Sequence, residues 1–317
     1  MPPTVSVIIP TYNRSSRVIN AIESVLRQTY TDFEIVVVDD GSTDDTSDRL
    51  KPFVGRIKYV HQQNRGASAA QNKGVACADG KWVSILGDDD EWLPTKLERQ
   101  FEALGKCRDC GACFTDCQFV VNGVLRQTIF AEAGFKHHQP FGILNDWFRH
   151  QIEGYPIIWT QSLLVQRSLL NELGGFDENM VLGEDLDLIF RVALRTRLCF
   201  VSDPLVKIDR TPSQRRLTEL VDFWNDTQFS TRAYMYAKWV HLSGLDAGVL
   251  TRISRIRRDL LYDWMVHKLR KVRLFEAIEK AQYLREIGES RSLILSTLMM
   301  RGRRKIIRYL ERRRGPP

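Results

Sequence analysis

Residues 5–14, VSVIIPTYNR, and residues 36–46, VVVDDGSTDDT, decide how the chain reads. Each opens as a continuous apolar run, and the runs break at Pro10 and at Asp39–Asp40. Such runs read as strands buried on both faces, the kind found in parallel sheets covered by helices. Between them Val18, Ile22, Val25 and Leu26 recur at helical spacing, with Ser15 or Ser16 as the predicted N-cap. The alternation continues with a short helix over 44–50, a strand over 57–61, a helix over 67–78 and a strand over 82–86. A helix over 94–104, with Pro94 at its first position, and a strand over 112–121 follow. This rhythm predicts an α/β fold: an open, Rossmann-like, mostly parallel sheet with helices on both faces.

In such sheets ligands bind at the carboxyl ends of the strands. Asp39 and Asp40 end the second strand, and Asp88, Asp89 and Asp90 end the fourth. Like charges repel, so two acidic clusters at strand ends read as a cation site. Taken alone, VDDGST fits a turn and helix cap equally well. Neither G-x-G-x-x-G nor G-x-x-x-x-G-K-[ST] follows any strand, which leaves a dinucleotide fingerprint and a P-loop unsupported.

The chain has 317 residues, 43% hydrophobic and 27% charged, an ordinary globular composition on the scale of about two domains. A disordered chain, a fibre and a disulfide mini-protein are excluded. No apolar run approaches the roughly 20 residues that span a bilayer. The start, MPPTVSV, lacks a basic stretch followed by an apolar one, so no secretory signal is expected. The net charge of +7 is unevenly spread: residues from Lys207 onward carry 25 Lys and Arg against 12 Asp and Glu, a net of +13, and those before it carry −6.

The run Cys107-x2-Cys110-x2-Cys113-x3-Cys117 has the spacing of a bacterial ferredoxin motif. Gln118 rather than Pro follows it, no second run exists, and 113–117 overlies a predicted strand whose extended geometry spreads the sulfurs. Packed thiols are the expectation, with a bound zinc or cluster as the alternative. Six cysteines without a signal peptide fit a reducing cytoplasm. His137 and His138 read as solvated loop residues.

Six segments in order resemble a family 2 glycosyltransferase of the GT-A fold: VSVIIPTYNR, VVVDDGSTDDT, QNRGASAAQNKG, LGDDDEWLP, GGFDE and GEDLDL. The resemblance covers residues 5–191. It implies an inverting transferase that takes a nucleotide diphosphate sugar, usually a UDP-sugar, with Mn²⁺ or Mg²⁺. On this resemblance Asp89 is the metal ligand, and Asp88 shares the metal or meets the ribose. Asp90 is a lesser candidate. Pro10, Thr11 and Tyr12 line the base, and Asn13 and Arg14 close the same stretch. Asp40 accepts from the uracil ring N–H, which a cytosine lacks. Arg65, Gly66 and Asn72 lie beside the nucleotide. Asp185, with Glu184 alongside, is the general base for the acceptor hydroxyl. Taken alone, GEDLDL also reads as an acidic first turn stabilising a helix dipole, with Asp187 and Arg191 as an i, i+4 pair. Gly87 and Gln71 stand where many members carry Asp and Arg. No His follows at 206–211, and Arg210 or Lys207 is the cation available instead.

The predicted domains are 1–210, with a nucleotide-binding half to 121 and an acceptor half from 122, and a basic helical extension over 211–317. Trp147, Tyr155 and Trp159 are candidates to stack on an acceptor sugar. In the extension, helices are predicted over 217–242 and about 252–287. Ile253, Ile256, Leu260, Leu261, Trp264 and Met265 share one helical stretch with many Arg and Lys, and Leu298, Met299 and Met300 precede RGRRK. This pattern fits an anionic membrane surface, or equally a helical unit with a solvated basic face. A saccharide or lipid-linked acceptor at the inner face of a membrane, in cell-surface polysaccharide or lipopolysaccharide assembly, follows from the resemblance together with this tail. No nucleic-acid motif occurs. A nucleotidyltransferase and a non-catalytic assembly subunit are the alternative functions. No motif specifies an oligomeric state.

Overall fold

The structure, a computed structural model, describes residues 2–211, 226–270 and 274–289. The chain divides into two compact units, Met1–Gln214 and Arg215–Pro317. The first is built, in chain order, from β1 (Val5–Thr11), α1 (Ser15–Leu26), β2 (Phe33–Asp39), α2 (Thr46–Leu50), β3 (Lys58–His61), α3 (Ala67–Cys77), β4 (Trp82–Ile85), β5 (Glu91–Trp92) and α4 (Lys96–Lys106). It continues with β6 (Cys110–Val121), β7 (Val124–Thr128), α5 (Ile129–Glu132), β8 (Phe141–Ile143), β9 (Leu164–Gln166), α6 (Arg167–Glu172), α7 (Glu184–Ala193) and β10 (Arg197–Asp209).

One sheet runs β3-β2-β1-β4-β9-β6-β10-β5, with β7 beside β6 and β8 beside β10. The predicted parallel pairing holds across β3, β2, β1 and β4. Beyond β4 the sheet is mixed: β9 runs antiparallel to both β4 and β6, and β10 returns parallel to β6. Side chains alternate across the sheet as the period of two requires. Val5, Val7 and Ile9 pack with Val18, Ile22 and Val25 of α1 and Leu97 of α4 on one face. Ile8, Val36 and Val38 pack with Ala70 of α3 and Leu188 and Ile189 of α7 on the other. The chain's parallel strands therefore end together at one rim, and the loops after β1, β2 and β4 emerge side by side.

Two helix starts differ from expectation. Neither Ser15 nor Ser16 caps α1: Arg14 occupies the cap position without a side-chain bond, and the Ser15 N–H donates to Asp44 Oδ2 at 3.3 Å. A neighbouring loop thus does the work of the cap. Helix α4 begins at Lys96 rather than Pro94, because the Pro94 carbonyl accepts the Thr29 N–H at 2.8 Å and is held outside the helix.

Cys113 pairs in register with Cys199 and Cys117 with Val206 along β6 and β10, and all three cysteines are buried. Cys110, Cys113 and Cys199 belong to a small apolar cluster with Ala103, Val201 and Leu205. Burial pushes the Cys110 thiol up to about 12. Among the described residues no group of three or more His, Cys, Asp or Glu is placed to hold a metal ion. The packed-thiol reading describes this arrangement.

Lys96 is fully buried between Ser84 Oγ at 3.2 Å and Gln100 Oε1 at 3.0 Å, with its ammonium 3.7 Å from the Trp92 ring centroid. Burial pulls its pKa down to about 7. The unfolded chain holds that proton up to its ordinary range, so the Lys96 contribution to stability rises with pH between about 7 and 10.5 and is lowest below 7. The span corresponds to about 5 kcal/mol. Lys96→Met is expected to flatten the rise of urea-unfolding stability between pH 7 and 10. Its gain at pH 7 is offset by about 1–3 kcal/mol for the orphaned Gln100 oxygen. An unchanged pH slope would show that Lys96 is not its source.

The second unit contains α8 (Asp226–Trp239), α9 (Ala247–Arg270) and α10 (Leu274–Glu286). The start of the predicted 217–242 helix, and the stretches 293–300 and 301–314, lie outside the described residues. The single helix expected over 252–287 is instead two. The Lys280 ammonium sits 4.0 Å from the Trp264 ring, whereas 16 residues of continuous helix would separate the two by about 24 Å. Ile253, Leu260, Leu261, Trp264 and Met265 are all buried. The apolar stripe of α9 is thus buried, which favours the packed-helix alternative of the two for these residues. No described helix is long and apolar enough to cross a membrane.

Candidate functional site

Strands β1 and β4 are parallel neighbours, so the loops that follow them meet. Thr11 Oγ1 donates to Asp88 Oδ2 at 2.7 Å. The Arg14 guanidinium lies 2.8 Å from Asp88 Oδ1 and 3.2 Å from Asp89 Oδ2. Arg17 stands 3.7 Å from Asp89 and 3.8 Å from Asp209. Burial pushes Asp88 up to about 6 even with Arg14 beside it. Asp90 is buried deeper in the same loop. Its Oδ1 accepts the Asp209 N–H at 3.2 Å, and its Oδ2 makes no well-formed hydrogen bond, the Gln161 side chain being the polar group that steadies the carboxylate. Burial and then the Asp89 charge raise its carboxyl well above the usual range. Gly87 matters to this packing: a Cβ there would stand 3.0 Å from Asp90 Oδ2 and 3.2 Å from Asp89 Oδ1.

The loop after β2 is organised by Asp40. Its carboxylate accepts the Arg65 N–H at 2.9 Å, the Gly66 N–H at 2.8 Å and Gln62 Nε2 at 2.7 Å. Gly66, at φ +89°, opens α3. Asn13, at φ +54°, ties the first loop to the second by accepting the Thr43 N–H at 2.7 Å. Tyr12 is 45% exposed and offers a free ring face, whereas Pro10 is half-buried in β1. Arg65 pairs with Glu178 at 2.8 Å. Asn72 lies on α3, but its carboxamide is committed: Nδ2 donates to the Phe176 carbonyl at 2.9 Å and to Glu178 at 3.0 Å, and Oδ1 accepts the Phe176 N–H at 2.8 Å.

Helix α7 opens at Glu184 after Gly183, whose φ of +77° suits glycine. Glu184 and Asp185 are half-buried at this start. Burial and the Asp185 charge push Glu184 up to about 8, and burial also raises Asp185. Asp185 Oδ1 accepts the Leu186 N–H at 2.7 Å. Asp187 is fully buried and pairs with Arg191 at 2.7 Å, the i, i+4 pair expected. Arg210 joins the two carboxylate groups: its charge stabilises the ionised forms of both Asp90 and Asp185. The guanidinium lies 4.9 Å from the Trp159 ring and 5.3 Å from Phe119. Tyr155, 38% exposed, also feels its charge. Trp147 packs on Phe148 and Phe190 as part of the core. His137 and His138 are exposed.

The rim thus brings together Thr11, Arg14, Asp88, Asp89, Asp90, Asp185 and Arg210 from four chain segments. Sequence reasoning gave no role to Gln62, Arg17, Glu178 or Asp209, whose contacts cross between segments and leave no local pattern. Mg²⁺ and Mn²⁺ take oxygen ligands, and Mg²⁺ is usually held by one or two carboxylates with substrate phosphates completing the shell. Asp88 and Asp89 are two carboxylates of the kind that pattern uses, both facing Arg14, and no third carboxylate is placed with them as a ligand among the described residues.

Residues 6–169 match the family model described as Glycosyl transferase family 2. An uncharacterized glycosyltransferase of Rickettsia prowazekii is 28% identical over 70% of this chain and 71% of its own length. One from Rickettsia bellii is 33% identical over 64% of this chain, yet the match spans only 28% of that longer protein. A putative teichuronic acid biosynthesis glycosyltransferase of Bacillus subtilis is 38% identical over 36% of this chain and 46% of its length. Among solved structures, residues 1–349 of S. aureus TarS in complex with UDP-GlcNAc superpose with TM-score 0.63 at 19% identity, covering 83% of this chain and 72% of that one. A Pyrobaculum calidifontis mannosyltransferase in complex with GDP-Man and Mn²⁺ gives 0.55 at 20% identity over 97% and 81%. These similarities place the fold among mixed α/β GT-A enzymes.

Proposed function

We infer the reaction from one premise: the chain belongs to glycosyl transferase family 2. It transfers a sugar from a nucleotide diphosphate sugar, a UDP-sugar in our reading, to a hydroxyl of a saccharide or lipid-linked saccharide in cell-surface polysaccharide assembly. The observation that carries this is the Asp88–Asp90 loop bound to Thr11 and Arg14 at the rim of the sheet, with Arg210 acting electrostatically on both Asp90 and Asp185. The UDP-GlcNAc held by TarS and the polymer pathway named for the Bacillus relative support the donor and acceptor classes.

Each group has a task. Tyr12 offers a stacking face to the base, and Asp40, held by three N–H donors, presents its carboxylate beside it. Asp89 and Asp88 would hold Mn²⁺ or Mg²⁺, which neutralises charge developing on the leaving diphosphate. Arg14 and Arg210 add fixed positive charge on either side. The acceptor oxygen forms its bond to the anomeric carbon as the bond to the diphosphate breaks. Asp185 takes the hydroxyl proton, and the single in-line displacement inverts that carbon. Burial raises Asp185, and the charge of Arg210 opposes that rise. Trp159 and Tyr155 flank the acceptor side.

Turnover of a panel of UDP- and GDP-sugars with Mn²⁺, read as released nucleoside diphosphate and glycosylated product, tests the reading. Release from a UDP-sugar is expected. Release from GDP-sugars alone overturns the donor, and none from any overturns the activity. For the tail, we infer attraction of its basic side chains to an anionic leaflet, at about 1 kcal/mol per residue, rather than insertion of α9. Sedimentation with phosphatidylserine vesicles is expected to fall steeply with salt. Salt-independent or absent binding refutes this.

A further inference from the structure

The segment from Leu173 to Gly183 leads directly into the helix that carries Asp185, and it is tied from two sides along its first half. On the helix side, Arg191 of α7 bonds Asp187 and donates to the Leu173 carbonyl at 2.9 Å and the Gly175 carbonyl at 2.8 Å. On the nucleotide side, Asn72 uses both halves of its carboxamide on the backbone of Phe176 and reaches Glu178. Glu178 in turn pairs with Arg65, whose backbone N–H is bound by Asp40. Ser68 Oγ donates to the Met180 carbonyl at 3.5 Å. Gly174 and Gly175, at φ +74° and +69°, make the sharp approach possible. A Cβ on Gly175 would run into Asn72 Oδ1.

We propose that Asn72 is a positioning residue for the base rather than a contact of the nucleotide: by clamping Phe176 and Glu178 it fixes the 173–183 strap to the donor half, and so sets where Asp185 meets the acceptor. The proposal rests on the transferase reading above and deepens it. A carboxamide that already spends its donors and its acceptor on the strap has little left to offer a ligand. Its removal frees the strap without touching Asp40, Thr11 or the Asp88–Asp90 loop.

The test starts from wild-type turnover of a nucleotide sugar, whose absence would count against the function and leave this proposal aside from blame. Given turnover, Asn72→Ala is expected to lower kcat about 100-fold, the scale for a displacement near 1 Å, with KM for the donor and the calorimetric Kd for UDP unchanged. Gly175→Ala approaches the same contact from the strap and is expected to give the same split. The two effects combined should fall well short of additive. A Kd for UDP that weakens in step with the loss of activity in Asn72→Ala overturns the proposal in favour of direct nucleotide contact. Unchanged kcat in both variants overturns it as well. If Asn72→Ala fails to fold, Gly175→Ala alone decides by the same split.

Discussion

Asp185→Asn is expected to lower turnover by about 10²–10⁴-fold, the usual contribution of a positioned general base. UDP affinity should stay unchanged. The amide keeps the oxygen that accepts the Leu186 N–H, so the start of α7 is preserved, but it cannot take the acceptor's proton. Glu184 stands next to it, and burial, the larger cause of its raised pKa, persists in the variant, so it is a poor substitute. The pH profile carries the same signature. Burial raises Asp185, and activity needs its ionised form, so turnover should rise with pH through a point above the ordinary aspartate range. Burial sets that point, and the Leu186 N–H and the Arg210 guanidinium hold it down. Retained turnover in Asp185→Asn would remove the base assignment and leave the donor site standing.

Asp89→Asn is expected to cost about 10²–10³-fold in turnover, the scale for losing one preorganised electrostatic partner of a developing charge. It should also abolish the difference between Mn²⁺ and chelator in UDP binding. Asp89 is the most accessible carboxylate of its loop with a guanidinium partner, at 18% side-chain exposure against 6% for Asp88. Asp88 is bonded to Thr11 and pushed up to about 6, so it is less free to bind an ion alone. Asp89→Asn also weakens the hold on Arg14 and Arg17. A control with Arg14→Gln therefore separates loss of the ion from loss of the pairing. If Asp89→Asn keeps metal-dependent UDP binding, the ligand is Asp88.

Much of the donor half was legible because it is written locally. The apolar runs at 5–9 and 35–38, the spacing of Val18, Ile22 and Val25, and the glycines at turns each constrain only their neighbours. The parallel order of β1, β2, β3 and β4 follows from them. The antiparallel insertion of β9 between β4 and β6 was not legible, since three residues at 164–166 carry no alternation long enough to read. The same holds for the site. Asp40, Asp88, Asp89 and Asp185 stand out as acids at element ends. The commitment of Asn72 to Phe176 depends on chain segments meeting across 104 residues of sequence, and that of Arg191 to two carbonyls on a turn that folds 16 and 18 residues back onto α7. Trp264 shows the converse: a basic amphipathic stretch looked fit for a lipid surface, and its apolar side was already taken by its own neighbours.

The doubly anchored strap also limits where this chain can diverge. Insertions or deletions between Leu173 and Glu178 would break register with Arg191, which holds Leu173 and Gly175, or with Asn72, which holds Phe176 and Glu178, so the length of that stretch is frozen. The stretch between β7 and the turn before β9 is held more loosely: most of 131–139 is exposed, and 149–153 forms a wide turn of its own. Descendants that come to glycosylate a different acceptor would be expected to carry their length changes there, while the spacing from Leu173 to Glu178 stays constant.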